Sequence, residues 1–154
     1  MKIIKYFLQF LFVIIFFSLF KILGLNISSA LGGKLFEKIG PLFRSKKLIH
    51  SNLKKAFPDI SLEHLNRITK MMWNNYGRVF AEYMFIKKFR EDRSNKNIII
   101  EGQEILEDIK KKNKSVVFIS GHLSNFELMA MHIEKSGIKL STIYRPLNII
   151  FLNK

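Results

Sequence analysis

A chain of 154 residues is long enough for one domain with a modest core. Its 26 Lys and Arg against 12 Asp and Glu give a formal charge of +14, which favours anionic partners: phospholipid headgroups, phosphorylated glycolipids, an acidic carrier protein or nucleic acid. The absence of cysteine excludes disulfides, thiolate catalysis and cysteine-based metal sites.

The chain opens on an apolar segment, Tyr6 to Leu25, interrupted by Gln9, Ser18 and Lys21. Roughly 20 such residues cross a hydrocarbon core of about 30 Å. Lys2 and Lys5 flank one end, and Lys21 is close enough to the other to reach the headgroups. A cleaved signal peptide would use Ser28 and Ala30 as its small residues, and a buried core helix is the plainer alternative. The flank beyond the segment (Lys34, Lys38, Arg44, Lys46, Lys47, Lys54, Lys55) is strongly basic, which favours an uncleaved anchor with that flank on the cytoplasmic side. Spanning the bilayer and lying in its interface are both open.

Residues 26–96 read as a helical region. Ile27 to Ile39 has an amphipathic pattern that Gly32 and Gly33 weaken, and Gly40–Pro41 stops it. Ser45 to Ala56 carries Leu48, Ile49, Leu53 and Ala56 at helical spacing, and Phe57–Pro58–Asp59 breaks the pattern. Ser61 then caps a long helix predicted to run to about Phe89, with Leu62, Leu65, Ile68, Tyr76, Val79, Phe80 and Tyr83 recurring at three and four. Trp73, Tyr76 and Phe80 are assigned to packing, and Glu82 to a helix-face salt bridge. Arg90 to Lys96 is a charged loop.

The pattern changes from Asn97 onward. Ile98–Ile100, Ser115–Ser120 and Leu140–Arg145 read as three strands, separated by helices over Gln103–Lys112 and Asn125–Ser136. Alternating strand and helix, with nearly fully apolar strands, predicts a parallel α/β sheet. The expected fold class is thus α/β: a membrane helix over residues 1–25, a helical layer over 26–96, and an incomplete parallel-sheet domain over 97–154.

The chemistry concentrates in Ile119–Glu127, which leaves the end of the second expected strand, turns at Gly121 and enters a helix. Ligands of open parallel sheets bind at that edge. A neutral His122 imidazole there can take a proton from a hydroxyl as its oxygen attacks an acyl carbonyl. A carboxylate such as Glu127, on the other ring nitrogen, fixes the tautomer and stabilises the imidazolium. An ordinary loop histidine, with Glu127 complementing a helix dipole, fits the same two residues. Arg145 reads either as an anion or oxyanion contact or as a solvated strand-end charge. His50, His64 and His132 have no metal-ligand spacing, and the chemistry needs no metal or cofactor.

Four blocks carry a family resemblance. Gly121-His122-Leu123-Ser124-Asn125-Phe126-Glu127 resembles the GH-x-x-N-[WF]-E core of the late acyltransferases of lipid A biosynthesis (the lauroyl and myristoyl transferases), within the wider glycerolipid acyltransferase group. Asn52-Leu53-Lys54-Lys55-Ala56-Phe57-Pro58 is similar to the family's N-L-x-x-A-F-P. Trp73-Asn74-Asn75-Tyr76-Gly77-Arg78, followed by Glu82, resembles W-x-N-x-G-R-x-x-x-E. Tyr144-Arg145-Pro146-Leu147-Asn148 resembles Y-R-P-L-x-N. The four occur in the family's order and cover most of the chain.

The resemblance implies an acyltransferase that moves a fatty acyl group from acyl-carrier protein to a hydroxyacyl chain of a Kdo-bearing lipid A precursor (Kdo-lipid IVA), on the cytoplasmic face of the inner membrane. His122 would be the base and Glu127 its partner, with Arg145, Asn125 and Gly121 contacting substrate. It also implies a chain about twice as long, so a fragment with little activity of its own is expected. The implied partners are acyl-carrier protein, the lipid A precursor and anionic membrane lipids; nucleic acid is not expected, since no nucleic-acid-binding signature accompanies the basic residues. The alternatives are the same chemistry on a lysophospholipid or another glycolipid, or a non-catalytic basic module tethered to the membrane.

Overall fold

The computed structural model describes residues 2–92 and 97–143. The described residues fall into two compact units, one over Leu19–Met84 and the other over those of residues 1–18 and 85–154 that are described. The first helix, α1 (Lys2–Leu23), contains a 21-residue stretch, Ile3–Leu23, long and apolar enough to cross a membrane. Its apolar side chains face outward along most of its length, as a lipid-facing helix requires and a core helix does not.

Gly24, at φ +78°, breaks the helix before α2 (Leu25–Ile39). A short 3-10 turn, Gly40–Leu42, leads to α3 (Lys46–Ala56) and then α4 (Leu62–Glu82). Ser61 caps α4, its Oγ accepting from the His64 backbone N–H at 3.2 Å. The helix expected to reach Phe89 is interrupted: a 3-10 turn at Tyr83–Phe85 separates α4 from α5 (Ile86–Glu91).

The Leu19–Met84 unit is held by the crossing of α2 and α4. Leu65, Thr69, Trp73, Gly77 and Ala81, each four residues from the next, form the buried ridge of α4. Against it α2 turns a stripe of small residues, Ser28, Ser29, Gly32 and Gly33. A Cβ on either Gly32 or Gly77 would collide with the other's carbonyl oxygen, so the backbones approach as closely as only glycine allows. The glycine pair expected to weaken α2 is what seats it. The buried hydroxyls spend their donors on main-chain oxygens: Ser28 Oγ on Phe20 O at 2.7 Å, Thr69 Oγ1 on Leu65 O at 2.7 Å.

A polar ladder runs beside this seam. Ser29 Oγ donates to Glu82 at 2.9 Å, and Arg78 donates to Ser29 at 3.2 Å and to Asn74 at 2.7 Å. Asn74 donates to Glu37 at 2.6 Å, and Lys70 pairs with Glu37 at 3.4 Å. The Asn74 amide, and secondarily Lys70, hold the Glu37 carboxyl below its ordinary pKa. Gly77, Arg78 and Glu82 of the third sequence block therefore all serve the α2–α4 crossing, and Glu82 does so through a serine rather than a helix-face cation.

Beyond Met84 the expected parallel sheet is not formed, and the α/β assignment is corrected to an all-helical one among the described residues. Helices α6 (Gln103–Lys112) and α7 (Glu127–Lys135) stand where helices were expected. The runs Ile98–Ile100 and Ser115–Ser120, and Leu140–Ile143 of the third, are irregular; Tyr144 and Arg145 lie outside the described residues. Ile99, Val117 and Ile119 are 86%, 87% and 92% exposed. A parallel strand needs a hydrogen-bonded neighbour and helices over both faces. Neither condition is met, since α6 has no buried residue and α7 only Ile133. What order exists comes from helix contacts: Phe89 and Ile133 are buried, Arg90 pairs with Glu134, and Gln103 bonds His132 at 2.7 Å.

Candidate active site

The Gly121–Glu127 segment is a turn feeding a helix, as its sequence suggests. Leu123 N–H donates to Gly121 O at 2.8 Å, which closes a tight bend around His122. Ser124 adopts a left-handed conformation at φ +50°, reversing the chain so that Asn125 and Phe126 lead into α7. Their carbonyls accept from Leu128 and Met129 at 3.1 and 3.2 Å, starting the helix, and Glu127 occupies its first turn. A carboxylate there is favoured by the helix dipole whatever else it does.

His122 is exposed, with the Phe126 ring packed edge-on against its imidazole at a centroid distance of 4.2 Å. Glu127 is half-buried. Among the described residues no hydrogen bond or ion pair joins the two, so the dyad is near in sequence and on one turn but not engaged. Asn125 is more unusual. Both its side-chain polar atoms, Oδ1 and Nδ2, are buried without a partner among the described residues. Leaving such an amide unsatisfied costs about 1–3 kcal/mol per group, and a ligand or water able to donate and accept would recover it. Gly121 is exposed and has only ordinary contact with Leu123. Arg145 lies outside the described residues. The segment thus presents an accessible imidazole, a carboxylate and an unsatisfied amide within seven consecutive residues.

The histidine of α7 behaves differently from His122. His132 is half-buried and bonded to Gln103, and burial, reinforced by Lys135, pushes its pKa below the ordinary value. A neutral, tethered imidazole of this kind is a packing element. On the same helix, the hydrogen bond from Arg90 holds the Glu134 carboxyl below the usual range.

The Leu19–Met84 unit holds a cavity that sequence periodicity did not reveal. It has a volume of about 620 Å³, with aromatic walls that include Phe36, Trp73, Tyr76 and Phe80, and with Arg44 and Asn52 among its lining residues. Trp73, Tyr76 and Phe80 were assigned to packing; Trp73 is buried and Phe80 packs against Phe36, whereas Tyr76 is 56% exposed. Trp73 is 7% exposed and its ring abuts Gly40, where a Cβ would overlap the indole. Its lining comes from α2, α3, α4 and the segment between α2 and α3, a convergence that no single helix pattern encodes.

Comparison with known proteins agrees with the motif reading. No curated protein and no solved structure gives a significant match. The family profile described as bacterial lipid A biosynthesis acyltransferase matches residues 1–154, the whole of the sequence. With an apolar helix fit for a membrane at one end and the His122–Glu127 turn in its second half, the chain belongs to the bacterial lipid A biosynthesis acyltransferase family.

Proposed function

We propose that the protein transfers a fatty acyl group from acyl-carrier protein to a hydroxyacyl chain of a Kdo-bearing lipid A precursor, with His122 as general base and Glu127 as its orienting carboxylate. The observation that carries this reading is the family match over residues 1–154, within which the sole His-x4-Glu of the family core is an exposed imidazole leading into a helix whose first turn holds the carboxylate.

In the proposed reaction, the unprotonated imidazole of His122 removes the proton from the acceptor hydroxyl as its oxygen bonds to the thioester carbonyl carbon. The carboxylate of Glu127 stabilises the imidazolium that results. The tetrahedral oxyanion then collapses, the C–S bond breaks, and the imidazolium returns its proton to the departing thiolate. Products are the new ester and the free carrier thiol. The dyad closes only when substrate is bound, which accords with the absence of a His122–Glu127 hydrogen bond in the free chain, since catalytic hydrogen bonds are often loose without ligand. Asn125, with both amide atoms unsatisfied, contacts the substrate; Gly121 lets it approach the backbone; Arg145 binds a phosphate of the acceptor or the developing oxyanion.

The division of labour along the chain is proposed as an anchor over 1–25, a helical layer over 26–96 and the chemistry-bearing segment over 97–154. The basic flank after α1 supports a cytoplasmic position, at the inner membrane, for the reacting part. The charge of +14 suits an acidic carrier protein, a phosphorylated acceptor and anionic lipids alike. The test is transfer of a radiolabelled acyl group from acyl-carrier protein to purified precursor by protein from the intact gene. His122→Ala should lower the rate by roughly 10²–10⁴, the usual contribution of a general base. Glu127→Gln should lower it less, with KM little changed in both. Undiminished transfer by His122→Ala refutes the assignment.

A further inference from the structure

The cavity in the Leu19–Met84 unit has features that the α2–α4 packing does not use. Its volume of about 620 Å³ lies within the span of small-molecule sites, roughly 300–1,000 Å³. Its walls are aromatic and aliphatic, which suits a hydrocarbon chain. One polar feature interrupts them. Arg44 is exposed, and no carboxylate pairs with it among the described residues. A cation unpaired among the described residues, beside an apolar cavity, asks for a molecule with an apolar tail and an anionic head.

The surroundings say how such a molecule arrives. Phe80, a wall of the cavity, packs edge-on against Phe20, near the end of the apolar helix α1, at a centroid distance of 6.3 Å. Leu42 and Phe43, in and just after the 3-10 turn, are 84% and 71% exposed, and Lys46 and Lys47 follow Arg44 on the exposed start of α3. An apolar rim beside a cluster of cations, near the end of a helix long and apolar enough to cross a membrane, suits an anionic headgroup and its first methylenes.

We propose that this cavity binds one acyl chain of an anionic phospholipid, with Arg44 holding the phosphate. Neither His122 nor Glu127 is among its lining residues, and the proposal does not depend on their role. It fixes the helical unit at the depth of the headgroups of a negatively charged leaflet.

Trp73 is the single tryptophan of the chain, so its fluorescence reports the cavity directly. The full-length protein is placed in phosphatidylcholine nanodiscs containing either phosphatidylglycerol or phosphatidylcholine with brominated acyl chains at equal bromine density. Brominated phosphatidylglycerol should quench Trp73 several-fold more than brominated phosphatidylcholine. Arg44→Glu, an exposed change that leaves the helices intact by circular dichroism, should erase the difference, and Val79→Phe should reduce quenching by narrowing the cavity. His122→Ala should keep the wild-type preference, which separates this result from the acyl-transfer reading. Equal quenching by both lipids, a preference that survives Arg44→Glu, or displacement of the quencher by acyl-carrier-protein thioester would each overturn the proposal.

Discussion

Leu65 and Ala81 in the Leu19–Met84 unit are 1% and 0% exposed, whereas Val117 and Ile119, equally apolar, are 87% and 92% exposed. The contrast follows from how each region satisfies its backbone. Helices α2, α3 and α4 close their own hydrogen bonds, so they need only a matching face. The small-residue stripe of α2 against the four-residue ridge of α4 supplies it. The apolar runs after Met84 have no internal way to pair their amides. A strand becomes stable only when a distant segment is brought beside it and both faces are covered. Cohesion in this chain comes from helices, and the region that carries His122 is the less buried of the two.

Paired truncations would break this comparison most sharply. Leu65→Ala should cost about 2–5 kcal/mol, the range for deleting a buried leucine. Ile119→Ala should change stability by less than about 0.5 kcal/mol, as for an exposed site. Chemical denaturation followed by circular dichroism measures both, and equal losses would show that the second region buries its apolar runs. A smaller effect is expected at the helix crossing. Gly77→Ala places a methyl against the Gly32 carbonyl, and forcing the backbones apart should cost about 1–3 kcal/mol. A neutral outcome would mean that α2 and α4 are not in backbone contact.

The smallest effect concerns pH. His132 has its pKa lowered by burial, so the unfolded chain binds the proton more readily than the folded one. The stability it supports is therefore complete above the ordinary histidine value of about 6.5 and is lost as pH falls through the lower folded-state value. NMR titration of the His132 ring should give a midpoint below that ordinary value. His132→Gln should flatten the pH dependence of α7 amide exchange over that window. A normal midpoint would show that the imidazole is not buried against Gln103.

Helices were legible where their signals are local. The periodicity predicted α6 at its observed limits, and Ser45 and Pro58 bracketed α3. The Ser61 cap marked the start of α4, but its end was read too far on, because the apolar spacing continues through the 3-10 turn at Tyr83–Phe85. The strands were misread because a short run such as Ile98–Ile100 records apolarity and not the presence of a partner. The turn at His122 was legible from its motif, since Gly121 and Asn125 punctuate it and α7 begins at Glu127. The Phe126 ring against His122, the unsatisfied Asn125 amide and the cavity beside Trp73 depend on three-dimensional placement and left no sequence signal.

The central claim is that His122 performs acyl transfer in lipid A synthesis, and mass spectrometry of lipid A from cells carrying His122→Ala in the intact gene examines it most directly. The account predicts lipid A lighter by one fatty acyl group, matching the product of cells lacking the gene. Lipid A of unchanged mass in that variant, against a deficit in the deleted strain, would contradict it.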